Sequence, residues 1–214
     1  MLRNPKEEPF DGIDRVGVAA TRNPIGGVHV GLLYRSGAEI LLCHFPYEAH
    51  LRNEHPSDKY LWQTSNLPSL DQQSVADYIR LVSQNKDLPY GFDYQGIYFD
   101  SAGHYVRRVR GAGLTCATFI MAVFQSLGFT LLDETTWESR PDDVTEKQAI
   151  MNMLAECDPP PDPAATEPFL EDVRYRPEEV AFGVIHYPPT IDFATASGGC
   201  ALLRQFIRSA ANDP

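Results

Sequence analysis

Cysteine is scarce and scattered. Four occur in 214 residues, Cys43, Cys116, Cys157 and Cys200, and no two form a CxxC pair. That removes the usual structural zinc pattern. No run of about 18 apolar residues is present, so no membrane span is expected. The opening residues, MLRNPKEEPFDGIDRVG, hold no apolar h-region. A secretory signal is therefore not expected, and a cytoplasmic location with reduced thiols is. Positive charge is also short: 18 Lys and Arg stand against 29 Asp and Glu, a formal net charge of -11. An acidic surface does not attract nucleic acid or an anionic membrane, so neither is an expected partner. Arg107, Arg108 and Arg110 form a local basic cluster, read as a solvated edge.

Against these shortages, hydrophobic residues make up 43% and charged residues 22% of the chain. That is ordinary for a globular domain with a sizeable core. A short apolar run at 16–20 predicts a strand, and Asn23-Pro24-Ile25-Gly26-Gly27 is turn chemistry. VHVGLLYR (28–35) and EILLCHF (39–45), joined by Ser36-Gly37, read as a β-hairpin. Residues 46–70 read as a long irregular connection. Ser69 opens a helix through Asn85, with Val75, Tyr78, Ile79 and Val82 on one face. LPYGFDYQG (88–96) interrupts the pattern, and a short hairpin is expected around Ser101-Ala102-Gly103. GLTCATFIMAVFQSLG predicts a helix over 114–127 with Gly128 as its stop. A further helix is expected over 142–154. CDPPPDPAATEP (157–168) reads as a linker. VAFGVIHY (180–187) reads as a strand and 201–210 as a helix.

Cys116 stands at the start of an apolar helix. The thiolate is the nucleophilic form of cysteine, and a helix N-terminus favours it through aligned dipoles and free N–H groups. The same groups can hold a developing oxyanion. A thiol nucleophile also needs a base and a group to orient that base. His29 alternates with Val28 and Val30 and shares its strand face with Gly31, which leaves room for another group. His44 closes the partner strand, so the two imidazoles are candidates to lie side by side. Taken singly, a cysteine in an apolar helix is most often core, and a strand histidine is most often structural. Cys43, Cys157 and Cys200, with His50, His55, His104 and His186, keep that structural reading. A metal site from His44, His50 and His55 matches no strong ligand spacing.

VHVGLLYR, then LPYGFDY, then GLTCATFIMAVFQSLG resembles, in that order, the circularly permuted papain-like thiol enzymes. These are the permuted branch of the NlpC-type peptidase superfamily, related to the lecithin:retinol acyltransferase group. That branch places its histidine strand before its cysteine helix. Its H-x-G strand is matched by His29-Val30-Gly31, and its third polar residue by His44, with Glu39 and Glu48 as alternatives. Its Pro-Tyr segment is matched by Pro89-Tyr90, and its nucleophile context by Thr115-Cys116-Ala117-Thr118. Ala117 departs from the serine that many relatives carry after the cysteine. The resemblance covers roughly residues 15–130.

The resemblance implies an α+β fold, with an antiparallel sheet packed against a helix that carries the cysteine at its N-terminus. It implies a papain-like core at 1–135 and a C-terminal extension at 136–214. That extension contains the Pro-rich linker 157–168 and is either packed on the core or separate from it. The implied activity is a cysteine-dependent amide hydrolase, a peptidase or amidase, needing no cofactor and no metal. Cys116 is the nucleophile, His29 the base and His44 its orienter, with Tyr90 and Asp93 as candidates for lining the cleft. The substrate is a peptide, a small amide or a protein conjugate. Two alternatives stand beside it: a non-catalytic module that binds a protein partner, for which the C-terminal extension is the candidate surface, and a thiol acyltransferase or esterase.

Overall fold

A computed structural model describes residues 2–24, 26–46, 50–92, 94–107, 113–156 and 169–210, excepting the side chains of 202, 206, 208 and 210. Its centre is a five-stranded antiparallel sheet in the order β4-β3-β2-β1-β5. The strands are β1 (Val16–Arg22), β2 (Val28–Ser36), β3 (Glu39–His44), β4 (Arg52–Glu54) and β5 (Leu61–Thr64). β2 and β3 form the hairpin expected from their alternation, turning at Gly37 with φ +63°. Such a positive φ costs glycine little. The class is α+β.

Alternation along the strands sends residues to two separate cores. Val18, Val30, Leu32 and Cys43 face the helical side. Ala19, Leu33 and Leu42 face the other side, where they pack with Ile13, Tyr60 and Trp62. The helices are α1 (Ser69–Val82), α2 (Cys116–Ser126), α3 (Asp143–Leu154), α4 (Pro177–His186) and α5 (Phe193–Ala210). α2 is buried along its length from Ala117 to Phe124. It packs against β2, α1 and α4. Its apolar composition follows from contact on several sides rather than on one stripe. Among the described residues, no helix is long and apolar enough to cross a membrane.

Three local expectations change. The segment read as a strand at 180–187 lies in α4. Val180, Ala181, Val184 and Ile185 are buried in the same core as Val18 and Phe119. A short helix covered on most sides reads as a continuous apolar run, which periodicity cannot separate from a buried strand. The missed signal precedes it: Pro177 in the first turn, then Glu178, then Glu179, whose carboxylate accepts from the Arg176 N–H at 3.0 Å. The stretch read as irregular at 46–70 holds β4 and β5, too short to show a pattern. The last helix begins at Phe193, ahead of 201, with the Asp192 side chain accepting from the Thr195 N–H at 2.7 Å.

α3 and α4 are joined by buried ions. Arg176 donates to the Asp143 carboxylate through Nε at 3.2 Å and Nη2 at 2.8 Å, and Arg140 pairs with Glu179. Through α4 the C-terminal region shares one continuous core with the sheet and α2. The Pro-rich linker, residues 157–168, lies outside the described residues.

Candidate active site

Sheet register builds the site. His44 pairs across the ladder with Gly31 on one side and Arg52 on the other. His29 and Glu54 each lie two residues further along their strands, so all three occupy diagonal positions on one sheet face. Side chains of that length bridge diagonal neighbours. His29 Nε2 lies 2.9 Å from His44 Nδ1, and His44 Nε2 lies 3.2 Å from Glu54 Oε1. Gly31 makes the approach fit, since a Cβ there would stand 2.6 Å from His44 Cβ and 2.8 Å from Leu42 Cδ1.

The row has a direction. A carboxylate only accepts hydrogen bonds, so His44 Nε2 carries the proton that Glu54 receives. In a neutral His44, Nδ1 is then a lone pair, and it accepts from the Nε2–H of His29. The lone pair left over in a neutral His29 is on Nδ1. The Tyr60 ring stands beside both imidazoles, with centroids 6.5 Å from His29 and 6.0 Å from His44.

Cys116 is the first residue of α2, capped by Thr115. The Thr115 hydroxyl accepts from the Thr118 N–H at 3.2 Å, and the Thr118 hydroxyl accepts from the Thr115 N–H at 2.8 Å. This reciprocal cap leaves the Cys116 N–H outside the helix ladder, pointing at the front of the turn. β3 ends opposite Gly31, so the β2 edge runs on past it. There the Val30 N–H donates to the Cys116 sulfur. The thiol therefore touches the backbone of the residue that follows His29. Cys116 and His29 line one cavity of about 440 Å³, with His44, Tyr60, Tyr90, Arg174 and Tyr175 also in its wall.

Tyr90 is held in that wall by backbone. The Leu114 N–H donates to the Pro89 carbonyl at 2.9 Å, and Tyr90 bridges to Leu114 in parallel register. Gly113 allows this, as a Cβ there would lie 2.5 Å from Gly91 N. The Pro-Tyr segment is thus tied to the residues that lead into Cys116. The Tyr90 ring stacks on Phe45 at 5.9 Å.

Electrostatics correct one expectation. The helix N-terminus does not leave the thiol depressed: burial pushes Cys116 above its ordinary value of 9.0, against the opposing Val30 and Ala117 N–H groups and the Arg174 charge. His29 is lowered from 6.5 to about 3, chiefly by burial, then by His44 and the cations Lys59 and Arg52. His44 is lowered too, by burial first, while Glu54 holds it up. At rest the thiol and the imidazole that share this cavity are both neutral.

No protein-family model, curated protein or solved structure matches this chain.

Of the other candidates, Glu39 sits at the far end of β3, exposed, 3.9 Å from His55. It is not at the site. Glu48 and Asp93 lie outside the described residues. His50 pairs with Asp87 at 2.8 Å, so His44, His50 and His55 go to three different partners. Among the described residues, no group of three or more His, Cys, Asp or Glu is placed to hold a metal. Cys43 and Cys200 are buried free thiols, and Cys157 lies outside the described residues. Two features went unread in the sequence. Glu54 lies on a three-residue strand exposed throughout, with no alternation to betray it. Arg174 and Tyr175 come from the chain just before α4, and only tertiary packing brings them to the cavity.

Proposed function

We propose that the chain is a cysteine-dependent amide hydrolase, a peptidase or amidase acting on a peptide, a small amide or a protein conjugate. The observation that carries this reading is the hydrogen-bonded row Glu54–His44–His29, which ends on the cavity wall that Cys116 shares. The sulfur attacks the amide carbonyl as the thiol proton passes to His29 Nδ1. The S–C bond forms, and the carbonyl electron pair moves onto oxygen, where the Cys116 N–H can stabilise it. Collapse breaks the C–N bond, and the amine leaves with the proton from His29. Water then attacks the thioester with His29 again as base, releasing the acid and restoring the thiol. His44 and Glu54 are positioning residues that keep Nδ1 of His29 bare. A neutral thiol and a neutral base at rest suit proton transfer during attack rather than a preformed thiolate.

The fold reading belongs to the same proposal. The histidine strand precedes the cysteine helix, as in the circularly permuted papain-like thiol enzymes. The same intermediate, resolved by another nucleophile, would serve an acyltransferase or esterase. The raised thiol favours a second reading, a non-catalytic module that binds a protein partner.

Acylation by p-nitrophenyl acetate, followed by intact mass spectrometry, separates the two readings. The expected result is one acetyl group on Cys116, absent in Cys116→Ala and formed at least ~100-fold more slowly in His29→Ala. Unacetylated Cys116, or acetylation indifferent to His29, would favour the binding module.

A further inference from the structure

The chain is acidic, with a net charge of -11, yet the wall of this cavity is basic. Arg22, Arg52, Lys59, Lys147 and Arg174 all line it, and among its described lining residues there is no Asp or Glu. These cations come from β1, β4, the turn before β5, α3 and the segment leading into α4, so chain proximity does not explain their convergence. Two are anchored from behind. Lys147 is buried and gives its ammonium to the Phe169, Leu170 and Asp172 carbonyl oxygens, at 2.8, 3.2 and 2.6 Å. Arg174 pairs with Glu146, which faces an adjoining cavity with Glu178. The other three are exposed. Lys59 lies over the Tyr60 ring at 5.2 Å, beside the imidazoles, and its charge and that of Arg52 reach both His29 and His44.

We infer that the cleft selects an acyl donor carrying a negative group, a carboxylate or a phosphate, beside the bond to be cleaved. This rests on Cys116 being the nucleophile. A concave wall of one sign raises the local concentration of the opposite charge. Arginine and lysine together suit carboxylate and phosphate oxygens, the arginines through paired N–H groups. A cation-lined wall on an acidic protein also turns away cationic competitors.

Matched alkylating probes test this without a known substrate. Iodoacetate and iodoacetamide differ in charge and share one chemistry: sulfur displaces iodide, the S–C bond forms as C–I breaks, and the thiol proton is taken up by His29. The measured quantity is the iodoacetate-to-iodoacetamide rate ratio at Cys116, divided by that of 2-mercaptoethanol. Two wall cations about 6 Å from the carboxylate of the bound probe, in a largely aqueous dielectric, would raise it about tenfold. The preference should fall in Lys59→Gln and Arg52→Gln, reverse in Lys59→Glu, and fade as salt shortens the screening length. Succinate and inorganic phosphate, at equal ionic strength, then compete against iodoacetamide. Stronger protection by succinate identifies a carboxylate donor, and stronger protection by phosphate a phosphorylated one. A ratio equal to that of 2-mercaptoethanol, or one unmoved by all three substitutions, would overturn the inference. If the ester leaves Cys116 unacylated but the preference persists, the nucleophile reading falls and the anion site stands. If Cys116 is acylated without any preference, only the anion site falls.

Discussion

Replacing His29 by Gln should make the protein less sensitive to acid. In the folded chain the His29 imidazole is held at about 3, mainly by burial, against an ordinary 6.5. The unfolded chain therefore binds one more proton at this position across the interval between those values. Stability is complete above pH 6.5 and falls as pH falls through that interval toward the folded value. At pH 5 the loss is the distance from 6.5, about 1.5 pH units, or ~2 kcal/mol. The figure hardly depends on the folded value once that value lies well below 5, because His29 is then neutral throughout. The Gln side chain can still donate to His44 Nδ1, so the row keeps its direction. Urea unfolding of both proteins at pH 8 and pH 5 gives the comparison. The wild type should lose ~2 kcal/mol more than His29→Gln between the two pH values, about 1 M in midpoint for a typical urea slope. Carboxylates elsewhere cancel in the difference. Equal losses within ~0.5 kcal/mol would refute the argument, since His29 would then titrate alike folded and unfolded.

The direction of the row predicts a spectrum. Long-range ¹H–¹⁵N correlation should find a proton on Nε2 of both His29 and His44 and a bare Nδ1 on His29, with the His44 assignment disturbed in Glu54→Ala. Gly31→Ala should destabilise the fold by ~1–3 kcal/mol in thermal unfolding, because the added methyl meets His44 Cβ at 2.6 Å, and should slow acylation of Cys116. Arg176→Ala takes two of the hydrogen bonds from the Asp143 carboxylate, which is 2% exposed and keeps the Arg140 N–H at 2.9 Å, and should cost ~3–5 kcal/mol in denaturant unfolding. Because burial holds the Cys116 thiol above 9.0, its iodoacetamide labelling should climb continuously through alkaline pH. A plateau reached below pH 7 would contradict that.

The elements that were legible carry their information within a few residues. β2 and β3 announce themselves by alternation and a tight turn, and the glycine beside His29 marks a close approach. The cysteine helix is bounded by Thr115-x-x-Thr118 and Gly128, both local signals. α4 is hidden in the sequence because its apolar run serves a helix enclosed by sheet and helix, where the amphipathic stripe vanishes. Glu54 illustrates a harder limit. Its role depends on register: β4 pairs Arg52 with His44, and a shift of one residue would send Glu54 to the opposite face. That register is set by which strand β3 accepts on its outer edge, and three exposed residues encode no preference of their own. The cationic wall has the same origin. Each of its five members reads in the sequence as an ordinary surface charge within an acidic chain, and only the folding of separate segments toward one cavity gives them a common sign. A binding preference set by charge can therefore be invisible in composition, and here opposite to it.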